Sequence, residues 1–123
     1  MTPIDVAQLP PNNATYSQAV RLGDLIFVSG QLGVDPVTRR LVEGGIQQQT
    51  SQAIDNVATI LAAAGSSLDR VAKVNIFLID FAWLPAMNEI YAQRFPHRPA
   101  KTTVEIARLD QDALIEIEVI AGG

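Results

Sequence analysis

The 123-residue sequence contains no cysteine, so disulfides, thiolate nucleophiles and cysteine-ligated metals are excluded from its chemistry. Its single histidine, His97, is too few for a histidine-rich metal centre. There is no run of basic residues, and the net charge of −4 argues against a surface built to track nucleic-acid phosphates. No stretch approaches the roughly 18 consecutive apolar residues that a membrane helix needs, so no membrane partner is expected. The opening MTPIDVAQLPPNNATYSQAV lacks a basic region followed by an apolar core, and it lacks a small-residue cleavage site. A cytoplasmic location is the expectation that follows. Repeats, low-complexity tracts and glycine-serine linkers are also missing. Against these absences stands an apolar content of 48%, enough for one well-buried core, and residues 1–123 read as one domain.

The apolar residues recur with clear periods. After a loop at Pro10-Pro11-Asn12-Asn13, residues 16–21 alternate weakly and Gly23-Asp24 gives a tight turn before LIFVSGQ, the pattern of a β-hairpin. Leu25 to Val28 is wholly apolar, as in a strand covered on both faces. It stops at Ser29-Gly30, where glycine lets another group approach the backbone closely. Asp35-Pro36 marks a turn. Ile46, Ala53, Ile54, Val57, Ile60, Leu61 and Ala64 then recur at three- and four-residue spacing, predicting an amphipathic helix from near Gly45 that Gly65 terminates. In RVAKVNIFLID, Ala72, Val74, Ile76 and Leu78 share one strand face, with Val71, Lys73, Asn75 and Phe77 on the other. Residues 82–95 read as a second helix, with Pro85 in its first turn and a stripe of Met87, Ile90, Tyr91 and Phe95. RPAKTTVEIARL (98–109) and LIEIEVIA (114–121) close the chain as strands. The order β-β-α-β-α-β-β predicts an α+β fold, a single mixed sheet with both helices on one face.

Two helices on one face leave the other uncovered. On the last strand Ile115, Ile117, Val119 and Ala121 are expected to meet the helices, which puts Leu114, Glu116, Glu118 and Ile120 on the open side. On the strand before it, apolar Val104 and Ile106 are assigned to the core. Lys101, Thr103, Glu105 and Ala107 then fall on the open side, with Lys101 the nearest cation to Glu116. This mixed face fits two readings. It is a wall buried against another copy, in which a carboxylate must be neutralised or paired, or it is solvated surface with ion pairs worth about 0–1 kcal/mol.

YSQAV (16–20), GDLIFVSGQLGVDP (23–36), VEGGIQQQTSQAIDN (42–56), AAGSSLDRVAKVNIFLID (63–80), MNEIYAQRFP (87–96), RPAKTTVEIARL and LIEIEVIA together resemble the Rid family, the YjgF-type reactive intermediate deaminases. The likeness runs in order over nearly the whole chain. It implies a homotrimer with the chorismate-mutase-like fold, the sheets facing inward as a barrel and three clefts between subunits. It also implies cofactor-independent hydrolysis of small 2-imino acids, or their enamine tautomers, to 2-oxo acids and ammonia. Carried position by position, Tyr16 matches the family's ring residue, Ser29 and Gly30 its strand end, Asn88 its helix asparagine, and Glu116 the first glutamate of IEIE. Thr103 matches the residue two after the carboxylate-binding arginine.

By that resemblance Glu116 and Tyr16 are the catalytic pair, and Lys101, Thr103, Ser29, Gly30 and Asn88 bind a small carboxylate substrate. One departure lies within the motif: the family pattern Pro-Ala-Arg is here Pro99-Ala100-Lys101. Lysine keeps the charge and loses the two-pronged geometry. A second reading is therefore a trimeric protein that binds a small carboxylate with little or no turnover. RNA cleavage, claimed for some relatives, is opposed by the acidic charge and by the absence of a histidine pair or an aromatic-basic stripe. A Schiff-base role for Lys101 is opposed by the carboxylates expected beside it.

Overall fold

The computed structural model describes residues 1–9 and 15–123, so the expected Pro10–Asn13 loop lies outside the described residues. Strands β1 (Thr2–Ile4), β2 (Ala19–Leu22) and β3 (Leu25–Leu32) form an antiparallel meander. The β2–β3 turn places Gly23 at φ 58°, a backbone state open to glycine at little cost. Helix α1 (Ile46–Ala63) follows, and Gln48 Oε1 accepts from the Gly45 N–H at 3.0 Å at its start. Gly65, at φ 79°, ends it as expected. Strand β4 (Val71–Leu78) leads through a 3-10 turn at Phe81–Trp83 into helix α2 (Leu84–Arg94), then β5 (Ala100–Glu105) and β6 (Ile115–Gly122).

The strands form one six-stranded sheet in the order β1-β2-β3-β6-β4-β5. β4 and β5, joined by α2, run parallel, and the other pairs are antiparallel, so the sheet is mixed as predicted. β1 was not expected: three residues that include Pro3 are too few to show an alternation. The core lies between one sheet face and the two helices. Ile54, Val57, Ile60 and Leu61 of α1 and Met87 of α2 pack there with Ile26, Val74, Ile76, Ile115 and Ile117. All of these are fully buried, each worth about 1.5–3 kcal/mol relative to exposure. Arg94 Nη2 to Asp55 Oδ1 at 2.7 Å ties the helices together on the outside.

The alternation expected for β4 breaks at its start. Val71 pairs with Ala121 and Lys73 with Ile120, so Ala72 is an extra, bulged residue. Val71 therefore turns into the core and Ala72 outward, the reverse of the sequence assignment. No described residue of the chain covers the opposite sheet face, which leaves Leu25, Phe27 and Val104 exposed beside Phe77, Glu116 and Ile120.

Candidate active site

A break in the ladder of β3 builds the first half of the site. Val28 faces Val119 and Gln31 faces Ile117, so Ser29 and Gly30 together occupy the space opposite Glu118. Glu116 comes from β6, on the uncovered face, with Leu32 and Phe77 as its cross-strand neighbours. Its carboxylate lies against Gly30 so closely that a Cβ there would sit 2.6 Å from Glu116 Cδ. Glycine lets the Glu116 side chain approach the backbone closely at this point, as the sequence reading anticipated. No described residue donates a hydrogen bond to this carboxylate. Burial raises its pKa above the ordinary carboxylate value, and the negative charges of Glu118 and Asp110 add to the rise.

Ser29 connects the bulge to the segment before β2. Its Oγ donates to Ser17 O at 2.7 Å and its N–H to Gln18 O at 2.9 Å, so the hydroxyl proton is engaged within the fold. That bond fixes the backbone next to Tyr16, which is exposed and shares a shallow cavity with Gly30, Gln31, Asn56 and Asp110. Asn56, buried on α1, donates to Leu32 O at 3.1 Å and Val34 O at 2.9 Å and so holds the chain just past the bulge. Neither Asn56 nor Asp110 was singled out from sequence. A buried asparagine within an amphipathic helix was the available signal for the first, and Asp110, in a loop, gave none.

The second half lies elsewhere. β5 pairs with β4 in the register Val74↔Lys101, Ile76↔Thr103 and Leu78↔Glu105, which puts Lys101 and Thr103 on the helix-covered face. The sequence assignment, with Lys101 beside Glu116 and Val104 in the core, is corrected here: Lys101 and Glu116 occupy opposite faces, and Val104 is 39% exposed. Alternation shows which residues share a face, and only the register against β4 decides which face that is. Lys101 Nζ donates to Asn88 Oδ1 of α2 at 2.6 Å and stands 4.4 Å from the centre of the Tyr91 ring. Burial lowers its pKa. The expectation of carboxylates beside this lysine falls with the assignment.

Thr103 contributes through its backbone. Ile106 N donates to Leu78 O at 2.8 Å, and N–H directions alternate along a strand, so the N–H groups of Lys101, Thr103 and Glu105 point away from β4. β5 is the edge of the sheet, so among the described residues these donors meet no strand. The Thr103 hydroxyl is buried without a partner among the described residues. Each half thus offers one charged group pushed toward neutrality by burial. Each would be eased by meeting an opposite charge, and a single chain does not bring the two together.

Residues 6–122 match the family model described as endoribonuclease L-PSP. A RutC family protein of Pyrococcus horikoshii is 47% identical over 107 residues, covering 86% of this chain and 85% of that protein. The 2-iminobutanoate/2-iminopropanoate deaminase of Capra hircus is 39% identical over 119 residues, covering 96% of this chain and 87% of its own length. Among solved structures, RidA from an Antarctic Psychrobacter species superimposes with a TM-score of 0.94 at 36% identity, covering 100% of both chains. Family model, relatives and fold agree, and the chain belongs to the endoribonuclease L-PSP family, also called the YjgF or Rid family.

Proposed function

We propose that this protein hydrolyses small 2-imino acids, or their enamine tautomers, to 2-oxo acids and ammonia, at clefts between the subunits of a homotrimer and without a cofactor. The observation that carries this reading is the Glu116 carboxylate seated against Gly30, its pKa raised by burial and no described residue donating to it, while Gly30 also lines the cavity that Tyr16 borders. A carboxylate with a raised pKa and no hydrogen-bond donor is a competent proton acceptor. The deaminase activity named for the goat relative supplies the reaction class.

In this reading the substrate carboxylate lies along the open edge of β5, between Lys101 Nζ and the Thr103 backbone N–H. That edge docks against the uncovered face of a second chain, which supplies Glu116, Gly30 and Tyr16. Glu116 takes a proton from water as the water oxygen adds to C2 of the imine, and the electron pair of the C=N bond passes to nitrogen. Glu116 returns that proton to the nitrogen, the Tyr16 hydroxyl gives it a second, and the proton of the new C2 hydroxyl passes to the Tyr16 oxygen as the C=O forms. The C–N bond then breaks, releasing ammonia and leaving the 2-oxo acid, with one water consumed. Exposed Leu25, Phe27 and Val104 on the uncovered face are apolar area that such an assembly would remove from water.

The test is to generate 2-iminobutanoate in situ and follow its loss. Wild-type protein is expected to accelerate the loss well beyond the buffer rate, and Glu116→Gln to reduce kcat by roughly 10²–10⁴-fold. Decay at the buffer rate with wild-type protein would overturn the proposal in favour of a carboxylate-binding role.

A further inference from the structure

Lysine at position 101 poses a geometric problem that the structure answers. A guanidinium sets its own angle toward a carboxylate, because two parallel N–H groups meet two oxygens. An ammonium on a flexible four-carbon stem is a point charge with no preferred angle. Here the ammonium is held from two directions by one helix. Asn88 Oδ1 accepts one N–H at 2.6 Å, and the Tyr91 ring lies under the charge at 4.4 Å. Asn88 and Tyr91 are three residues apart on α2, so they share the helix face turned to β5. Tyr91 is itself fixed: it is 8% exposed, and its ring packs on Phe95 with centres 4.8 Å apart.

We propose that Tyr91 is the positioning residue for the Lys101 carboxylate anchor, its ring face restoring the directionality lost with arginine. The inference rests on the reading of Lys101 as that anchor. The working part of Tyr91 is the ring and not the hydroxyl, which is buried with no hydrogen-bond partner among the described residues. An aromatic face attracts a partly desolvated cation and confines it above the ring. Asn88 removes one of three N–H directions, and the others remain for a substrate oxygen. The second substrate oxygen then falls to the outward Thr103 N–H, whose place is set by the strand. Ring, amide and strand edge together replace the fork.

The experiment measures 2-oxobutanoate affinity by calorimetry, together with kcat and KM for 2-iminobutanoate, in the full-length protein. The variants are Tyr91→Phe, Tyr91→Leu, Lys101→Met and the Lys101→Met/Tyr91→Leu pair. Tyr91→Leu is expected to weaken 2-oxobutanoate and raise KM by roughly five- to tenfold, with kcat within about twofold, whereas Tyr91→Phe keeps wild-type affinity within about twofold. In the Lys101→Met background, Tyr91→Leu should add no further loss. In the wild-type NMR spectrum the Lys101 ε-methylene protons should be shifted upfield by the ring, a readout that needs neither the leucine variant nor a ligand. Wild-type affinity in Tyr91→Leu with weakened Lys101→Met would overturn the role of Tyr91 and leave the anchor standing. Wild-type affinity in Lys101→Met would overturn both. An equal loss from Tyr91→Leu with and without Lys101, or random-coil shifts for the lysine methylene, would also overturn the proposal.

Discussion

The raised pKa of Glu116 has a consequence for stability with a definite sign. Its pKa in the folded chain is raised, first by burial and then by Glu118 and Asp110, so the folded state binds this proton more tightly than the unfolded state. Its favourable contribution is present in full below the ordinary glutamate pKa and is lost as pH rises through the raised value. Glu116→Gln should therefore raise the melting temperature at pH 7.5 and lose that advantage near pH 4, and thermal melts at the two pH values decide it. The acid limb of the rate profile should for the same reason lie above the ordinary carboxylate range. Gly30→Ala makes the complementary case. The nearest atoms to the added Cβ all belong to the movable side chain of Glu116, so the fold should persist with a melting temperature near wild type. The carboxylate must move, and activity should fall by roughly a hundredfold or more, as expected when a reacting group is displaced by about 1 Å. At this scale the sequence marked the close approach at Gly30, and the motifs singled out Glu116 and the lysine at the family's arginine position as candidates. Tyr91 was read as one of four stripe residues, because periodicity registers a ring as core and cannot show the cation that arrives on it from a strand ten positions later.

Between elements, tight contacts are made by backbone, and there substitution has no soft outlet. Gly33, just past β3, lies against the start of α1, and a Cβ there would stand 2.7 Å from both Cα and O of Gln49. Neither atom can rotate aside. Gly33→Ala should push α1 from the sheet at a cost of about 1–3 kcal/mol, seen as a lower urea midpoint with an unchanged m-value. An unchanged midpoint would show that the helix shifts freely. The elements themselves were legible, α1 and β6 by their strong periods and α2 by Pro85 in its first turn: the buried Ile115, Ile117, Val119 and Ala121 are the residues that alternation assigned to the core. β5 was misplaced by its composition. Val104 looks like core, yet α2 covers this edge with Asn88 and the Tyr91 ring and so accepts Lys101 on the inner side. β4 lost its phase at Ala72 because a bulge leaves no mark on a short alternating run.

For the molecule as a whole, the separation of Lys101 and Glu116 to opposite faces makes a prediction about mixtures. If each cleft takes Lys101 from one chain and Glu116 from another, Lys101→Met and Glu116→Gln proteins are each nearly inactive alone. Refolded together in equal amounts, they should recover activity, because about a quarter of the clefts in a randomly mixed cyclic assembly combine two intact halves. A mixture no more active than its components would place both groups in one chain's site. The mixed character of the open face was visible in the sequence. Its two readings stayed open there because the charges of a strand face do not say what they meet. The strand order carries one more consequence, for how the molecule comes into being. β6 lies between β3 and β4 yet follows every other element along the chain. At synthesis rates of about 5–20 residues per second, the meander and the β4–β5 unit emerge with facing unpaired edges and wait for the same strand. Neither can be completed by a neighbour in sequence. Closure of the sheet is therefore a late, concerted event, and the interval before it is when this chain most needs protection from other chains.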